Sequence, residues 1–258
     1  TFTGAAGLAG WKWLFLLEGI PSVVLGVATL FYLDDSIESA GWLDRDEKKL
    51  LENNIAAEKE AKTNHSLKDG LVEWRVWFFG VVYFCFVSGL YGFSFWLPQM
   101  IKSSGVGSEL RIGLLAAVPN GMAIAGMLWA GRSSDRMLER RWHTLVCGLV
   151  AGLGLMLSAG FAADTCIAVF SATLGLAGVM ACLSIFWSFP TAILSGTAAA
   201  GGIALVNSVG NLGGFASPYM MGYVKDLTGD LSSGLFVLGA LVILGAVLVI
   251  VFVPGRDH

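Results

Sequence analysis

Two asparagines one helical turn apart, Asn207 and Asn211, stand inside an apolar stretch of this chain. At i and i+4 they share one face of a helix, where their amides present donors and acceptors that hydrocarbon does not tolerate unpaired. They must face protein, water or a polar solute. A second polar set lies in Ser184-Ile-Phe-Trp-Ser-Phe-Pro-Thr191, with Ser184 and Trp187. Tyr83 and Tyr91, eight residues apart, fall within about 80° of each other on a helix and can line one polar groove. The chemistry these types offer is hydrogen bonding and aromatic contact rather than bond making. Interhelical hydrogen bonding is the alternative use of the asparagines, and anchoring at the membrane interface that of Trp96.

Two charged features remain. Glu18 is the acidic residue set well inside an apolar run, Trp13-Leu-Phe-Leu-Leu-Glu-Gly-Ile-Pro21. Its two readings are a functional ionisable group and a structural hydrogen bond near the carbonyl that Pro21 leaves unpaired. The turn Gly131-Arg-Ser-Ser-Asp-Arg-Met-Leu-Glu-Arg-Arg141 gathers Asp135 with Arg132 and Arg136. An Asp at a helix N-terminus, with Arg reaching a C-terminus, can clamp helices and release them when they move; a plain topology anchor is the alternative.

The remaining residue types argue against other classes. No GxSxG, HExxH, P-loop or paired intramembrane carboxylate is present, so an enzyme is not expected. Cys85, Cys147, Cys166 and Cys182 fall in or beside apolar runs without CxxC spacing and read as small buried hydrophobes. His65, His143 and His258 have no helical partners, so no metal site and no cofactor is expected. A net charge of −3 without a basic stripe speaks against nucleic acid.

The elements that carry these residues follow from apolarity. The mean hydropathy is +0.72, and 55% of residues are hydrophobic against 14% charged, where soluble domains carry about 25% charged. Apolar runs cover Trp13–Leu33, Trp77–Leu97, Ile112–Ala130, Thr144–Ala163, Cys166–Phe189, Ile203–Val224 and Leu235–Val253. Each is about the 20 residues that a helix needs to cross a bilayer. Membrane β-strands would alternate apolar and polar residues, whereas Leu241–Val253 is continuously apolar. The fold class is therefore an all-α, polytopic membrane bundle.

The chain divides into a first span (1–33), a charged connection (34–76) and a six-span bundle (77–258). Within the connection, Asp44–Lys62 is expected to form a surface helix. Pro190–Gly202 is expected to be a turn. If the connection is cytoplasmic, that side holds Arg45, Lys48, Lys49, Lys59, Lys62, Lys68, Arg75, Arg132, Arg136, Arg140, Arg141 and Arg256, and the other only Lys12, Lys102, Arg111 and Lys225. Such an excess marks the cytoplasmic side. Thr1–Gly10 has neither the basic region nor the cleavage site of a signal peptide, and the expectation is a fragment with further spans upstream.

Three motifs carry a resemblance. Gly10-Trp-Lys-Trp-Leu-Phe-Leu-Leu-Glu-Gly-Ile-Pro21, Tyr91-Gly-Phe-Ser-Phe-Trp-Leu-Pro98 and Asn207-Ser-Val-Gly-Asn-Leu-Gly-Gly-Phe215 closely resemble the anion:cation symporter family of the major facilitator superfamily, nearest its bacterial tartrate and phthalate transporter-like branch. The resemblance spans essentially the whole chain. It implies helices six to twelve of a twelve-helix fold in a bacterial inner membrane, with an N-terminal half missing. It also implies proton-coupled uptake of a small organic anion, a sugar acid or a dicarboxylate, by rocker-switch alternating access. The cavity wall implied is Tyr83, Tyr91, Ser184, Trp187 and Asn207, with Asn211 one turn on. The Asp135 turn is similar to the superfamily's cytoplasmic loop motif, with Glu139 near a position where Gly is usual. Proton-coupling carboxylates and an anion-pairing arginine would belong to the missing half. A non-transporting receptor on the same fold and an inactive fragment are the rival readings.

Overall fold

The computed structural model describes residues 7–61, 72–103, 105–193 and 196–254. Lys62, His65, Lys68, Arg256, His258 and residues 1–6 of the N-terminal segment lie outside the described residues. The chain divides into two compact units, 1–62 and 63–258.

The first unit holds α1 (Gly10–Tyr32) and α2 (Arg45–Ala61). Twenty-three residues rise about 35 Å, enough for a hydrocarbon core. Glu18 and Pro21 both lie inside α1, which ends where Leu33 turns extended while its N–H still reaches the Thr29 carbonyl at 3.0 Å. Between the helices, Lys48 Nζ donates to the Glu38 carbonyl at 2.7 Å. The backbone N–H of Asp44 donates to the Glu47 carboxylate at 3.0 Å, one half of a capping box that starts α2. A helix, α2, thus covers most of the stretch Asp44–Lys62.

The second unit holds α3 (Trp74–Ser103), α4 (Glu109–Met137), α5 (Arg141–Gly160), α6 (Thr165–Phe186), α7 (Ser188–Ile193), α8 (Gly196–Thr228) and α9 (Ser232–Phe252). α3 packs chiefly on α8, and also on α9 and α6; α5 lies between α6 and α9, and α4 leans on α6. The core is built from Phe79, Phe86, Phe93, Phe186, Leu155, Leu176 and Leu238, all buried. Small residues set the spacing where lipid supplies no drive between helices. A Cβ on Gly178 of α6 would stand 2.6 Å from the Cys147 carbonyl of α5, and one on Gly152 would stand 2.6 Å from the Gly239 carbonyl of α9.

Among the described residues, six stretches are long and apolar enough to cross a bilayer: α1, α3, α4, α5, α6 together with α7, and α9. The run expected over Ile203–Val224 lies in α8, which at 33 residues has the length. It is missing from the six because Asn207, Asn211, Ser217 and Pro218 dilute its apolar character. The expected turn Pro190–Gly202 is mostly helical: α7 covers its start and α8 begins at Gly196. Pro190 stands in the first turn of α7, where no backbone donor is needed, and the alanines 198–200 are good helix formers.

Cys85, Cys147 and Cys182 are buried, as small hydrophobes should be, but Cys166 is exposed. It occupies the first turn of α6, where its N–H donates to the capping Asp164 carboxylate at 2.9 Å. A position one residue inside a helix end leaves the side chain outside the core.

Candidate functional site

The seam between α3 and α8 is where the polar residues of the sequence meet. α8 presents Gly210, Gly213 and Gly214 to α3, and α3 places Tyr83, Ser88 and Tyr91 opposite them. The fit is tight. A Cβ on Gly210 would overlap the Tyr83 ring, one on Gly213 would lie 2.9 Å from the Phe84 carbonyl, and one on Gly214 would touch the Tyr91 ring at 3.3 Å. Glycine spacing on α8 thus lets two tyrosines lie flat along a helix.

Tyr83 is clamped from the side by the end of α6. Its ring stacks on Phe186, with centroids 5.0 Å apart, and meets Trp187 edge-on at 4.9 Å. Trp187 sits at the joint between α6 and α7, where the Ser188 hydroxyl donates to the Ile185 carbonyl at 2.6 Å. Pro190 restricts the residue before it and so helps to break the helix there. The half-buried indole is therefore held at a helix joint.

The asparagines form a unit. Asn211 Nδ2 donates to the Asn207 carbonyl at 2.8 Å and to Asn207 Oδ1 at 2.9 Å, and both side chains are exposed. Among the described residues no hydrogen bond engages Asn207 Nδ2 or Asn211 Oδ1, one donor group and one acceptor. Ser184 is not brought to them by any hydrogen bond among the described residues: its hydroxyl donates to the Ala181 carbonyl of its own helix at 2.8 Å. Tyr91 is 47% exposed. The structure therefore joins Tyr83 to Trp187 and Asn207 to Asn211, with Tyr91 on the same seam.

Packing dominates over hydrogen bonding in this seam. The Ser88 hydroxyl is buried without a partner among the described residues. Towards the far end of α3, Trp96 Nε1 donates to the Pro218 carbonyl at 3.4 Å, and the Lys225 ammonium lies 5.2 Å from the same ring. Trp96 thus ties α3 to α8, a role that apolar periodicity does not reveal. A cavity of about 250 Å³ lies beyond it, lined by Gln99, Ser158, Lys225 and Asp230 among others, and holds none of the expected wall residues.

The α4–α5 junction is the second cluster, and it departs from expectation. Asp135 is in the last turn of α4, not at a helix N-terminus. Its partner is Arg140, at 3.5 Å, rather than Arg132 or Arg136. The carboxylate at a helix N-terminus is that of Glu139, which accepts from the Trp142 N–H at 2.9 Å and the His143 N–H at 3.3 Å, and pairs with His143 Nδ1 at 3.3 Å. Burial pushes the Glu139 carboxyl up, but the N–H groups of Trp142 and His143 and the His143 ring outweigh it and hold the group below its ordinary value. His143 Nε2 lies 3.0 Å from the Ser133 hydroxyl, and Ser134 donates to the Glu139 carbonyl at 2.8 Å. Arg141 reaches across to the Ile250 carbonyl of α9. Among the described residues no group of three His, Cys, Asp or Glu side chains is placed to hold a metal ion.

A family model described as the Major Facilitator Superfamily matches residues 2–218. Two Agrobacterium vitis proteins named as candidate tartrate transporters are 43% and 40% identical over 96% of this chain, and over 57% and 55% of their own length. A Pseudomonas putida protein named as a candidate metabolite transport protein, NicT, is 40% identical over 96% of this chain and 57% of its own. The chain thus spans little more than half the length of these relatives.

Proposed function

The chain belongs to the Major Facilitator Superfamily, and on that premise we propose that it supplies the C-terminal part of a proton-coupled transporter of a small organic anion. It is a multi-pass membrane protein. The longer protein works with a preceding half that completes the central cavity, in a bacterial inner membrane. Relatives at 40–43% identity carry tartrate and metabolite transporter names, which supports a sugar acid or dicarboxylate as the substrate class.

Two observations support this reading: the Tyr83 ring packs against Phe186 and Trp187, and Asn207 and Asn211 form an exposed amide pair on α8. Tyr83 and Trp187 offer ring faces and edges to the C–H surface of a small acid. Asn207 and Asn211 offer a donor and an acceptor to its hydroxyl and carboxylate groups. Exposed amides in a bilayer-spanning helix are costly unless something polar faces them, and a midplane substrate with its water meets that need. The two halves then rock about the bound anion, exposing it to one side at a time. The middle parts of α3 to α9 contain no carboxylate, so the proton is carried by groups elsewhere in the longer protein. Asp135, Arg132 and Arg136 sit at the cytoplasmic end of α4, where a gate between the halves would close, with Glu139 fixing the junction.

The test is uptake of labelled tartrate by the intact protein in vesicles under an inward proton gradient. Asn207→Ala and Tyr83→Leu should each reduce uptake at least tenfold, while Cys147→Ala leaves it near wild type at matched membrane levels. Full activity of the Asn207→Ala protein would remove the amide pair from the site.

A further inference from the structure

At the end of the bundle away from the α4–α5 junction, five helices of the second unit leave a space unfilled. The ends of α3, α5 and α8 and the starts of α6 and α9 enclose the cavity of about 250 Å³ that lies beyond Trp96. Its floor is built from Leu97, Ile101, Ala159, Ala172 and Leu235, each at most 5% exposed. Burial reached within one unit can only deepen when more chain packs on it, so these walls are complete as they stand. The space exists because small side chains face it: Thr165, Ala168, Val169 and Ala172 line it at the i, i+3, i+4 and i+7 spacing of one helical face. Ser158 is buried in the same wall, and its hydroxyl is satisfied by the Ala168 carbonyl at 3.0 Å. The charges stand at the rim, beside exposed Gln99 and Gly229. There the Asp230 carboxylate is committed to the start of α9, where the Ser232 N–H and hydroxyl each donate to it at 3.1 Å. Lys225 is half-buried, its ammonium 5.2 Å from the centre of the Trp96 ring, and it forms no ion pair among the described residues.

From this arrangement we propose that the cavity binds a medium-chain monocarboxylic acid, its carboxylate on Lys225 and its hydrocarbon chain along the α6 face. Three observations set this class. A half-buried cation without a carboxylate partner calls for an anion, and the hydrogen bond between them is charge-assisted. The apolar interior rejects hydroxylated acids such as tartrate, whose hydroxyl groups would lose their hydrogen bonds there. The lining runs along α6 from Thr165 to Ala172, about 10 Å of depth, which suits an acid of about eight carbons. A cavity of about 150 Å³ already takes benzene, so this one has room for such a chain. The site is separate from the proposed substrate wall, since none of Tyr83, Trp187, Asn207 and Asn211 lines it.

Equilibrium dialysis of radiolabelled octanoate against the intact protein in lipid nanodiscs, with empty nanodiscs as the blank, tests this. Wild type should bind one octanoate, about fifteenfold more tightly than hexanoate, because each buried methylene is worth about fourfold. Lys225→Gln should weaken binding about tenfold or more, the loss expected for a hydrogen bond to a charged group. Lys225→Arg should retain most of the affinity, which also shows that the fold survives changes at this position. Ala168→Phe, which fills the cavity and leaves the ammonium in place, should weaken binding by a similar factor. A wild-type protein that binds no octanoate, or an unchanged affinity in the Lys225→Gln or Ala168→Phe protein, would overturn the proposal. Equal binding of octylamine would also overturn it, in favour of a cavity that takes hydrocarbon of either charge. Loss of octanoate binding in the Asn207→Ala protein would do the same by putting the acid in the substrate cavity.

Discussion

Gly210→Ala is expected to destabilise the protein, although alanine is the better helix former. A Cβ at this position runs into the Tyr83 ring and would lie 2.7 Å from its Cγ. Cγ is the root of the ring, so turning the ring about its own axis gives no relief. The ring is also pinned by Phe186 at 5.0 Å and Trp187 at 4.9 Å. Overpacking of this kind costs about 1–3 kcal/mol, and alanine regains about 1 kcal/mol of helix propensity over glycine. The net is a loss of about 1 kcal/mol. Gly222 on the same helix is the control, because its Cβ would meet only Trp96 Cζ2 at 3.7 Å. There the propensity gain stands unopposed. An SDS unfolding titration of the intact protein, read by circular dichroism, should show a lower midpoint for Gly210→Ala and an unchanged or higher one for Gly222→Ala. Adding Tyr83→Ala to Gly210→Ala removes the clash, so the double-mutant cycle should give a coupling of about 1 kcal/mol or more. Equal midpoints for the two alanine proteins, or strict additivity in the cycle, would refute the claim that Gly210 exists to seat Tyr83.

Two further outcomes follow from the junction and from the cysteines. The Glu139 carboxyl is depressed in the folded protein, so its stabilisation is fully present above the ordinary value of 4.5 and is lost as pH falls through its folded value. The unfolding midpoint of wild type should therefore drop below pH 4.5 by a step that Glu139→Gln lacks; identical pH profiles would remove Glu139 as the junction's capping carboxylate. Of the four cysteines, Cys166 alone is exposed, and the orientation expected from the basic residues puts it on the non-cytoplasmic side. A membrane-impermeant maleimide added to intact cells should modify Cys166 and leave Cys85, Cys147 and Cys182 unmodified, whereas labelling only from the cytoplasmic side would invert the assigned orientation.

The helices were legible because a bilayer imposes a length, and apolar runs of that length have few alternatives. What sits across from a helix was not legible. That α8 carries two asparagines on one face can be read from spacing, but spacing does not say that Gly210 and Gly214 meet Tyr83 and Tyr91, because the partner helix lies more than a hundred residues away. Nor does spacing say that the Ser184 hydroxyl bonds to the Ala181 carbonyl of its own helix, as a serine one turn from a carbonyl can. Pro190 and the glycines at 201 and 202 looked like a turn because such residues punctuate; their position near helix starts is what makes them harmless.

The α4–α5 junction shows most directly how local backbone redirects charge. The run Ser134-Asp-Arg-Met-Leu-Glu-Arg-Arg141 offers two acids four residues apart, and either can be imagined at the start of the next helix. The choice is made by Leu138, which takes the left-handed conformation with φ 52° and ends α4 at Met137. A bulky residue rarely does this, and no sequence rule would have chosen it over a glycine. Its N–H closes the turn onto the Asp135 and Ser134 carbonyls. Asp135 is thereby kept on α4, where its carboxylate meets Arg140, and Glu139 is delivered to the first N–H groups of α5. A carboxylate is better placed there, against the positive end of a helix, than in the last turn of one. With both acids so committed, Arg132 and Arg136 stand exposed without an ion pair among the described residues.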